Sequence, residues 1–461
     1  MTRWPDRTRN GFLNVEELPT RPRSGDRYWL QTDQPESDYT HSLFRYPAKF
    51  HRPIVRWALA NTSNKRSAVL DPFAGSGTLN VESLLSGRAS VGIDLDPLAC
   101  FVASAKTTVL DPNRLDKSLE QIKKKAAKIA RTETELERLI GSDISKDLYD
   151  KNKEKFWIPK IPNIEHWFKR HVVLDLASLL HLLKEEMRLG DAERNFFLAC
   201  FAAIIRRVSN ADPTPVSGLE VTSVQAKRNE TREINVIEDF LHKSRLAIHG
   251  MRELWAAVRA RNRPVSTQII CGDARAIESV VVQDAPELLP FSFVITSPPY
   301  CNAVEYGRRH KLEMYWLNLV DGQDTHTALS RSYIGYRNLA EGRTNRLRNF
   351  GMPRLDRLLE RIAESDFTRA VALERYFASL EESTYELARV TETNADVIFV
   401  VGNSTCGGLE VRTATFIQEL ASEHFRLRSS FAYAIQNHHM QYGLRNGRGI
   451  REEMVLAFKR R

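Results

Sequence analysis

Residues 296–300, Thr-Ser-Pro-Pro-Tyr, combine groups suited to chemistry on a planar amine. Such an amine is a poor nucleophile because its lone pair is delocalised into the attached ring. The Ser297 hydroxyl and the Pro298 carbonyl can accept hydrogen bonds from its two N–H groups and leave the lone pair aimed at an electrophile. The prolines fix the backbone, and Tyr300 offers a stacking face. We expect Ser297, Pro298, Pro299 and Tyr300 to be catalytic; the alternative is a rigid turn that ends a strand.

A glycine-rich loop at residues 71–78, DPFAGSGT, has the composition of a ligand cradle. Gly75 and Gly77 lack a Cβ, so their backbone N–H groups can approach a ligand closely. The loop is neither GxGxxG nor GKS/GKT, which excludes the usual dinucleotide and P-loop sites. Asp71 can receive a cationic amino group, which suits S-adenosylmethionine. The alternative is an ordinary glycine turn with a helix-capping aspartate.

Two further carboxylates follow apolar runs and complete the predicted cofactor site. Asp94, in GIDLDP, can accept both hydroxyls of a ribose. Asp273, in CGDAR, can reach an adenine amine, although a surface-turn aspartate is an equal alternative. The candidate cofactor residues from these segments are Asp71, Phe73, Gly75, Gly77, Thr78, Asp94 and Asp273.

Apolar runs and glycine turns predict the elements that position these residues. One strand–helix–strand unit is predicted, with strands in SAVLDP and ASVGIDLDP and a helix in LNVESLLSG between them. Further strands are predicted at 267–275, 291–300, 395–404, 426–435 and 453–459. The last two are close in sequence, which favours a hairpin at the sheet edge. The fold class is therefore α/β: a Rossmann-like, mostly parallel sheet with an antiparallel edge hairpin.

Composition changes along the chain predict four segments. Residues 1–38 are polar and predict an extended arm, and residues 39–110 begin the catalytic domain. Lysine-rich helical patterns at 111–265 predict a largely helical insertion. Residues 266–461 return to the α/β pattern. A length of 461 residues agrees with a catalytic domain plus one large insertion.

Charge and cysteine usage narrow the class of protein. The 67 Lys and Arg against 58 Asp and Glu give a formal charge of +9, which favours a polyanionic partner. Five cysteines without a CxxC pair argue against a zinc site or a disulfide framework, so we expect no metal. No apolar run reaches the length of a membrane span. These features predict a soluble, cytoplasmic protein.

The four motifs DPFAGSGT, GIDLDP, CGDAR and TSPPY resemble motifs I to IV of the amino-group DNA methyltransferases. The resemblance covers residues 39–110 and 266–461 and implies S-adenosylmethionine as cofactor and double-stranded DNA as substrate, with the target base flipped out of the helix. Ser before Pro-Pro-Tyr is common in cytosine-N4 members, whereas Asp or Asn is usual in adenine-N6 members. Ser297 therefore favours cytosine N4.

The segment YPAKFHRP resembles motif X of the same family, which helps to hold the methionine end of the cofactor. Lys49, Phe50 and His51 are the matching positions, with an ordinary helix lead-in as the alternative. The long insertion lies between motifs II and III, unlike common layouts of the family. The family's location of target recognition is therefore not carried over to this chain.

Arginine-rich segments are candidates for contact with DNA, because arginine with aromatic residues suits nucleic acid. One segment follows IIRRV in the insertion, and another spans residues 331–361; solvent-exposed faces without a ligand are the alternative for both. The candidates are Arg206, Arg207, Asn210, Arg331, Arg337, Arg343, Arg346 and Arg348. The segment HHMQYGLRNGRGIRE adds a third arginine cluster near the predicted sheet edge.

Other activities remain as alternatives at this point. Adenine-N6 methylation is the nearest. RNA guanine-N2 methylation is more distant, because enzymes of that kind usually have Asp-Pro-Pro-Tyr in place of Ser-Pro-Pro-Tyr. Non-catalytic DNA binding is also more distant, because all four motifs look intact in this chain. Carbon-5 methylation of cytosine needs a nucleophilic cysteine, typically after proline, and the chain has no Pro-Cys dipeptide. A restriction-modification role, with a cognate restriction endonuclease as candidate partner, completes the prediction.

Overall fold

The computed structural model describes residues 13–14, 18–31, 38–47, 49–64, 67–213, 218–261, 265–301, 306–335, 346–434 and 452–461. The strands are β1 (Leu13–Asn14), β2 (Asp26–Tyr28), β3 (Leu30–Gln31), β4 (Val69–Asp71), β5 (Ser90–Asp94), β6 (Thr267–Cys271), β7 (Phe291–Thr296), β8 (Thr391–Gly402), β9 (Ser404–Cys406), β10 (Leu409–Val411), β11 (Phe425–Ala434) and β12 (Glu452–Arg460).

The helices before β6 are α1 (Arg52–Asn61), α2 (Thr78–Ser86), α3 (Pro97–Thr107), α4 (Pro112–Ala126), α5 (Glu133–Arg138), α6 (Lys146–Lys153), α7 (Ile164–Trp167), α8 (Arg170–His181), α9 (Asp191–Val208), α10 (Ser223–Thr231) and α11 (Val236–Arg259). Those after β6 are α12 (Ile277–Asp284), α13 (Tyr306–Arg309), α14 (Lys311–Trp316), α15 (Gln323–Ser332), α16 (Pro353–Ser365), α17 (Phe367–Val390) and α18 (Thr413–Ala421).

Eight strands form the main sheet in the order β2-β11-β12-β8-β7-β4-β5-β6. The five strands from β8 to β6 run parallel to their neighbours, while β12 is antiparallel to both β8 and β11. The predicted fold class is confirmed. The hairpin of β11 and β12 is present but is not outermost, because β2 pairs in parallel with β11 beyond it.

Strands β4, β5 and β7 are buried on both faces, as parallel strands covered by helices usually are. All three residues of β4 and all six of β7 are buried. Val69 packs in one apolar cluster with α1, and Leu70 packs in another with α17. Alternate side chains of one strand therefore anchor a helical layer on each side of the sheet.

The strand order reverses at β4. From β4 the chain continues on one side of the sheet with β5 and β6, and then returns to the other side of β4 with β7 and β8. In open α/β sheets the ligand crevice forms at such a switch point, outside the carboxyl ends of the strands. The glycine loop follows β4, Asp94 is the last residue of β5, and the Ser-Pro-Pro-Tyr loop follows β7. The topology thus brings three segments that are distant in sequence to one edge of the sheet.

The helices of residues 112–259 pack on the sheet layer through α3. Leu98 and Val102 of α3 belong to the same apolar cluster as Phe201 of α9 and Phe240 of α11. Asp96 begins α3 by accepting hydrogen bonds from the backbone N–H groups of Leu98 and Ala99. The helix that follows the second motif therefore also supports the helical segment.

Candidate active site

A cavity of about 940 Å³, its open mouth included, lies at the carboxyl ends of β4, β5, β6 and β7. Its lining residues are Tyr46, Lys49, Phe50, Pro72, Phe73, Ala74, Gly75, Ser76, Thr78, Asp94, Leu95, Asp96, Asp273, Ala274, Ser297, Pro298, Pro299, Tyr300, Tyr333 and Ile334. The four residues predicted to be catalytic thus share one cavity with seven of the ten predicted cofactor residues.

The glycine loop turns sharply between β4 and α2. Gly75 and Gly77 have φ angles of +51° and +74°, in the left-handed region that favours glycine. A Cβ on Gly77 would stand 2.9 Å from the Cβ of Ala103, so α2 approaches α3 too closely for a side chain there. Gly77 therefore shapes the loop from behind, whereas Gly75 and Thr78 line the cavity.

Asp94 binds the glycine loop from the end of β5. Its carboxylate accepts hydrogen bonds from the backbone N–H groups of Gly75 at 2.7 Å and of Asp96 at 2.9 Å. Burial, and then the charge of Asp96, raise the pKa of Asp94 to about 7. A carboxylate on the cavity wall therefore titrates near neutral pH.

Asp71 lies behind the cavity wall, with a side chain that is 1% exposed. Its carboxylate accepts hydrogen bonds from the Thr296 hydroxyl at 2.6 Å and from the backbone N–H of Phe73 at 3.0 Å. Burial raises the pKa of Asp71 to about 7. Asp71 thus connects the glycine loop to the strand that carries Ser297, and it does not reach the cavity as a ligand for an amino group would.

Lys106 is fully buried beneath the glycine loop and was not predicted from the sequence. Its ammonium group donates a hydrogen bond of 2.6 Å to the carbonyl of Ser76. Burial lowers the pKa of Lys106 well below its ordinary value. A lysine at the end of the apolar helix PLACFVASAKT was the available sequence signal.

Glu453, the second residue of β12, contacts the tyrosine of the Ser-Pro-Pro-Tyr loop. The Tyr300 and Tyr433 hydroxyls both donate hydrogen bonds to the Glu453 carboxylate. Burial raises the pKa of Glu453, although both hydroxyl donors favour its ionised form. Glu453 was not predicted, because only the pairing of β12 with β8 and β11 brings it beside Tyr300 and Tyr433.

The three motif X positions separate into two roles. Lys49 and Phe50 line the cavity, and the Lys49 ammonium donates a hydrogen bond of 2.8 Å to the His41 carbonyl. The His51 ring instead stacks on Tyr433 with centroids 5.2 Å apart. Burial lowers the pKa of His51 to about 4, so the ring is neutral at pH 7. His51 therefore supports the tyrosine that contacts Glu453 and does not line the cavity.

Asp273 lines the cavity at the end of β6, but Arg275 contacts both of its carboxylate oxygens. The guanidinium Nε of Arg275 lies 2.9 and 3.0 Å from them, and its Nη2 lies 2.6 Å from one. Burial alone would raise the pKa of Asp273, but the bonds from Arg275 outweigh it and lower the pKa. The carboxylate is ionised and oriented by Arg275.

The DNA-contact candidates of the helical segment are already engaged within the protein. The half-buried Arg206 guanidinium donates to the carbonyls of Asp212 and Gly218, which fixes the end of α9. Arg207 is exposed and pairs with Asp239 at 2.8 Å, and the Asn210 side chain donates to the His166 carbonyl. Arg206 thus has a structural role in the protein, and its predicted phosphate contact stays a prediction.

The second arginine-rich segment is described in part. Arg331 and Arg346 are exposed. Arg348 pairs with Glu381 and lies over the ring of Phe350, 4.7 Å from its centroid. Arg337, Arg343 and the predicted C-terminal arginine cluster lie outside the described residues.

Comparison with known proteins found one family model and several methyltransferases similar to this chain. The family described as DNA methylase, of the N6/N4 methyltransferase type, matches residues 13–104. The type II methyltransferase M.MvaI of Kocuria varians is 23% identical over 89% of this chain and 87% of its own length. These matches support the amino-group DNA methyltransferase family for this chain.

Two further proteins resemble this chain at low sequence identity. The type II methyltransferase M.BsoBI of Geobacillus stearothermophilus is 23% identical over 66% of this chain and 57% of its own length. The solved rRNA methyltransferase aviRa from Streptomyces viridochromogenes aligns over 93% of each chain at 13% identity, with a TM-score of 0.32.

None of the described helices combines the length and apolar character that crossing a membrane requires. Among the described residues, no three or more His, Cys, Asp or Glu side chains are grouped so as to hold a metal ion.

Proposed function

We propose that the protein methylates the exocyclic N4 amine of cytosine in duplex DNA and uses S-adenosylmethionine as the methyl donor. The observation that carries the proposal is Ser297, which precedes Pro-Pro-Tyr and lines the same cavity as the glycine loop and Asp94. A hydroxyl at this position, where adenine-N6 members usually have a carboxylate or an amide, favours cytosine. The relatives named as type II methyltransferases support a restriction-modification role.

The cavity residues fit S-adenosylmethionine. Phe73, Leu95 and Ile334 offer apolar surface for a base, and Asp94 offers a carboxylate for ribose hydroxyls. The buried hydroxyl of Tyr333 has no hydrogen-bond partner among the described residues, as expected where a polar ligand completes the site. When bound, S-adenosylmethionine supplies a methyl group activated by its sulfonium charge.

The Ser-Pro-Pro-Tyr loop supplies the amine chemistry in this proposal. The Ser297 hydroxyl and the Pro298 carbonyl accept hydrogen bonds from the two N–H groups of the target amine. These bonds draw the nitrogen toward tetrahedral geometry and direct its lone pair at the methyl group. Catalysis then depends on positioning and electrostatics, without a covalent enzyme intermediate.

Tyr300 provides the stacking face for a base flipped out of the duplex. Unstacking a base costs a few kcal/mol, and stacking on an aromatic ring offsets part of that cost. The bond to Glu453 holds the tyrosine hydroxyl. The ring is therefore ordered before the base arrives.

Among the predicted DNA-contact arginines that the structure describes, Arg331 and Arg346 are exposed, and Arg207 and Arg348 are exposed members of local ion pairs. Exposed arginines neutralise phosphates, and this contribution is independent of sequence. Arg337 and Arg343 remain candidates from their sequence context. A cognate restriction endonuclease remains a proposed partner in the same system.

The substrate can be tested with S-adenosylmethionine labelled in its methyl group. The full-length protein is incubated separately with duplex DNA and with transfer RNA, and the products are digested to nucleosides. The proposal predicts label in DNA, on cytosine, as the N4-methyl nucleoside. Label only on adenine would overturn the cytosine assignment, and label in transfer RNA but not in DNA would favour the RNA guanine-N2 alternative.

A further inference from the structure

Tyr333 is the strongest unexplained feature of the cavity. Its side chain lines the cavity, and its hydroxyl is shielded from solvent without a hydrogen-bond partner among the described residues. Buried hydroxyls in proteins are nearly always hydrogen-bonded, so such an atom marks a place where a partner is expected. The sequence had suggested a nucleic-acid contact for this tyrosine because arginines surround it.

Residues 332–335, here called the crossing segment, extend from one side of the cavity to the other. At one end the Arg275 guanidinium donates a hydrogen bond of 2.9 Å to the Ser332 carbonyl. At the other end, a Cβ on Gly335 would stand 4.0 Å from the Cys301 carbonyl. Arg275 follows β6 and Cys301 follows β7, and β5 and β4 lie between those strands. The crossing segment therefore covers the cavity at the ends of the motif-bearing strands.

Tyr333 lies at the β5–β6 side of the crossing segment. Burial, and then the charges of Asp96 and Asp94, raise the pKa of Tyr333 above its ordinary value, so the hydroxyl keeps its proton at neutral pH. Its ring also packs against α13, because a Cβ on Gly307 would stand 3.1 Å from Tyr333 Cε2. The hydroxyl is thus held at the Asp94 end of the cavity, two strands away from the Ser-Pro-Pro-Tyr loop.

We infer that the Tyr333 hydroxyl donates a hydrogen bond to the nucleoside part of the cofactor and that the crossing segment forms the cover over that part. This inference rests on the proposed use of S-adenosylmethionine. The nucleoside is the part assigned because Asp94, the carboxylate suited to ribose, lies at the same end as Tyr333. Ile334, the next residue, adds apolar surface to the same cover.

The test compares cofactor binding by two matched tyrosine variants of the full-length protein. Tyr333→Phe removes the hydroxyl from the cavity. Tyr315→Phe removes a hydroxyl that is likewise buried and has no partner among the described residues, but Tyr315 does not line the cavity. Binding is measured by calorimetric titration with S-adenosylmethionine and with methylthioadenosine, which keeps the nucleoside and lacks the amino-acid group. Thermal melting of both variants checks that each is folded.

For Tyr333→Phe we expect the Kd of both ligands to rise by the same factor, between about twofold and tenfold, as for loss of one neutral hydrogen bond. For Tyr315→Phe we expect no change in either Kd. An unchanged Kd in Tyr333→Phe overturns the inference, and a rise for S-adenosylmethionine alone overturns the nucleoside assignment. If the wild-type protein binds neither ligand, the proposed cofactor itself is wrong, which is a distinguishable result.

Discussion

At the scale of single residues, Glu453 connects the last strand of the chain to the Ser-Pro-Pro-Tyr loop. It accepts hydrogen bonds from Tyr300 and Tyr433, and His51 stacks on Tyr433. Glu453 therefore links the last two strands to the Ser-Pro-Pro-Tyr loop, and His51 joins this group through Tyr433. The carboxylate contacts the Tyr300 hydroxyl, so under the proposed function Glu453 acts as a positioning residue through Tyr300.

Replacing Glu453 tests this positioning. In Glu453→Gln only the amide oxygen accepts well, so the side chain cannot accept hydrogen bonds from both the Tyr300 and the Tyr433 hydroxyls. Tyr300 therefore loses its fixed orientation. We expect kcat for methyl transfer to DNA to fall about tenfold, the size of one hydrogen bond to a charged group. The Kd for S-adenosylmethionine should not change, and a binding titration beside the kinetic assay measures it.

The neighbouring Glu452→Gln variant is the matched control, because Glu452 pairs with Arg27, which lies on β2. It loses one carboxylate charge at the next position without touching Tyr300. Equal losses of kcat in the two variants would show that charge in β12, and not the contact to Tyr300, is what matters.

The titration of Asp94 predicts how cofactor binding depends on pH. The pKa of Asp94 is raised to about 7, so the carboxyl is increasingly protonated as the pH falls through 7. A protonated carboxyl accepts hydrogen bonds poorly, and binding to it requires loss of the proton. Affinity for S-adenosylmethionine should therefore rise from pH 6 to pH 8, as measured by calorimetry at fixed ionic strength.

The Asp94→Asn variant separates this cause from others. Its side chain does not titrate, so its weaker binding should vary much less over the same pH range. A wild-type affinity that is constant between pH 6 and pH 8 would show that the Asp94 carboxylate is not a cofactor contact.

At the scale of elements, the close approach of α2 to α3 decides the shape of the glycine loop. Gly77 has a φ of +74°, and a Cβ there would stand 2.9 Å from that of Ala103. We expect Gly77→Ala to lower the free energy of unfolding by about 1–3 kcal/mol and to weaken cofactor binding strongly. Urea unfolding and a cofactor titration measure the two effects.

Gly322→Ala is the control for this substitution, because Gly322 has an extended backbone with a φ of −170° and open space around it. It should unfold and bind like the wild type. If Gly77→Ala binds S-adenosylmethionine as tightly as Gly322→Ala does, the loop geometry assigned to Gly77 is unimportant for the cofactor.

Strands β4, β5 and β7 were predictable from the sequence because they are buried on both faces. VLD, SVGID and FSFVIT are short apolar runs that end in polar loops, so strand position and loop position follow from one pattern. Strand β2 was not predicted. Its three residues, Asp-Arg-Tyr, carry no apolar signal, and they form a strand only because β11 offers a partner.

Side chains that meet only through tertiary packing were not predictable. Tyr333 reads as part of an arginine-rich segment, yet its hydroxyl is buried at the Asp94 end of the cavity. Arg206 reads as a basic surface residue, yet neighbouring carbonyls bind its guanidinium. Asp71 matched its motif but lies behind the cavity wall, because the Thr296 hydroxyl holds it there.

At the scale of the whole molecule, the cofactor cavity and the helical segment share structural support. α3 begins at Asp96 beside the cavity and packs its apolar face into the cluster that contains α9 and α11. The helical segment, which lies between the second and third motifs in the chain, is therefore joined to the cavity wall through α3.

In the proposed reaction, the protein methylates the N4 amine of cytosine in DNA, and the Ser-Pro-Pro-Tyr loop binds that amine. Methylation-aware sequencing of DNA from cells that express the protein tests it most directly, with a Ser297→Ala, Pro298→Ala variant as control. We predict N4-methylcytosine at one fixed sequence, absent with the variant, although the purified variant still binds S-adenosylmethionine. Methylation on adenine, or the same methylation with the variant, would contradict the claim.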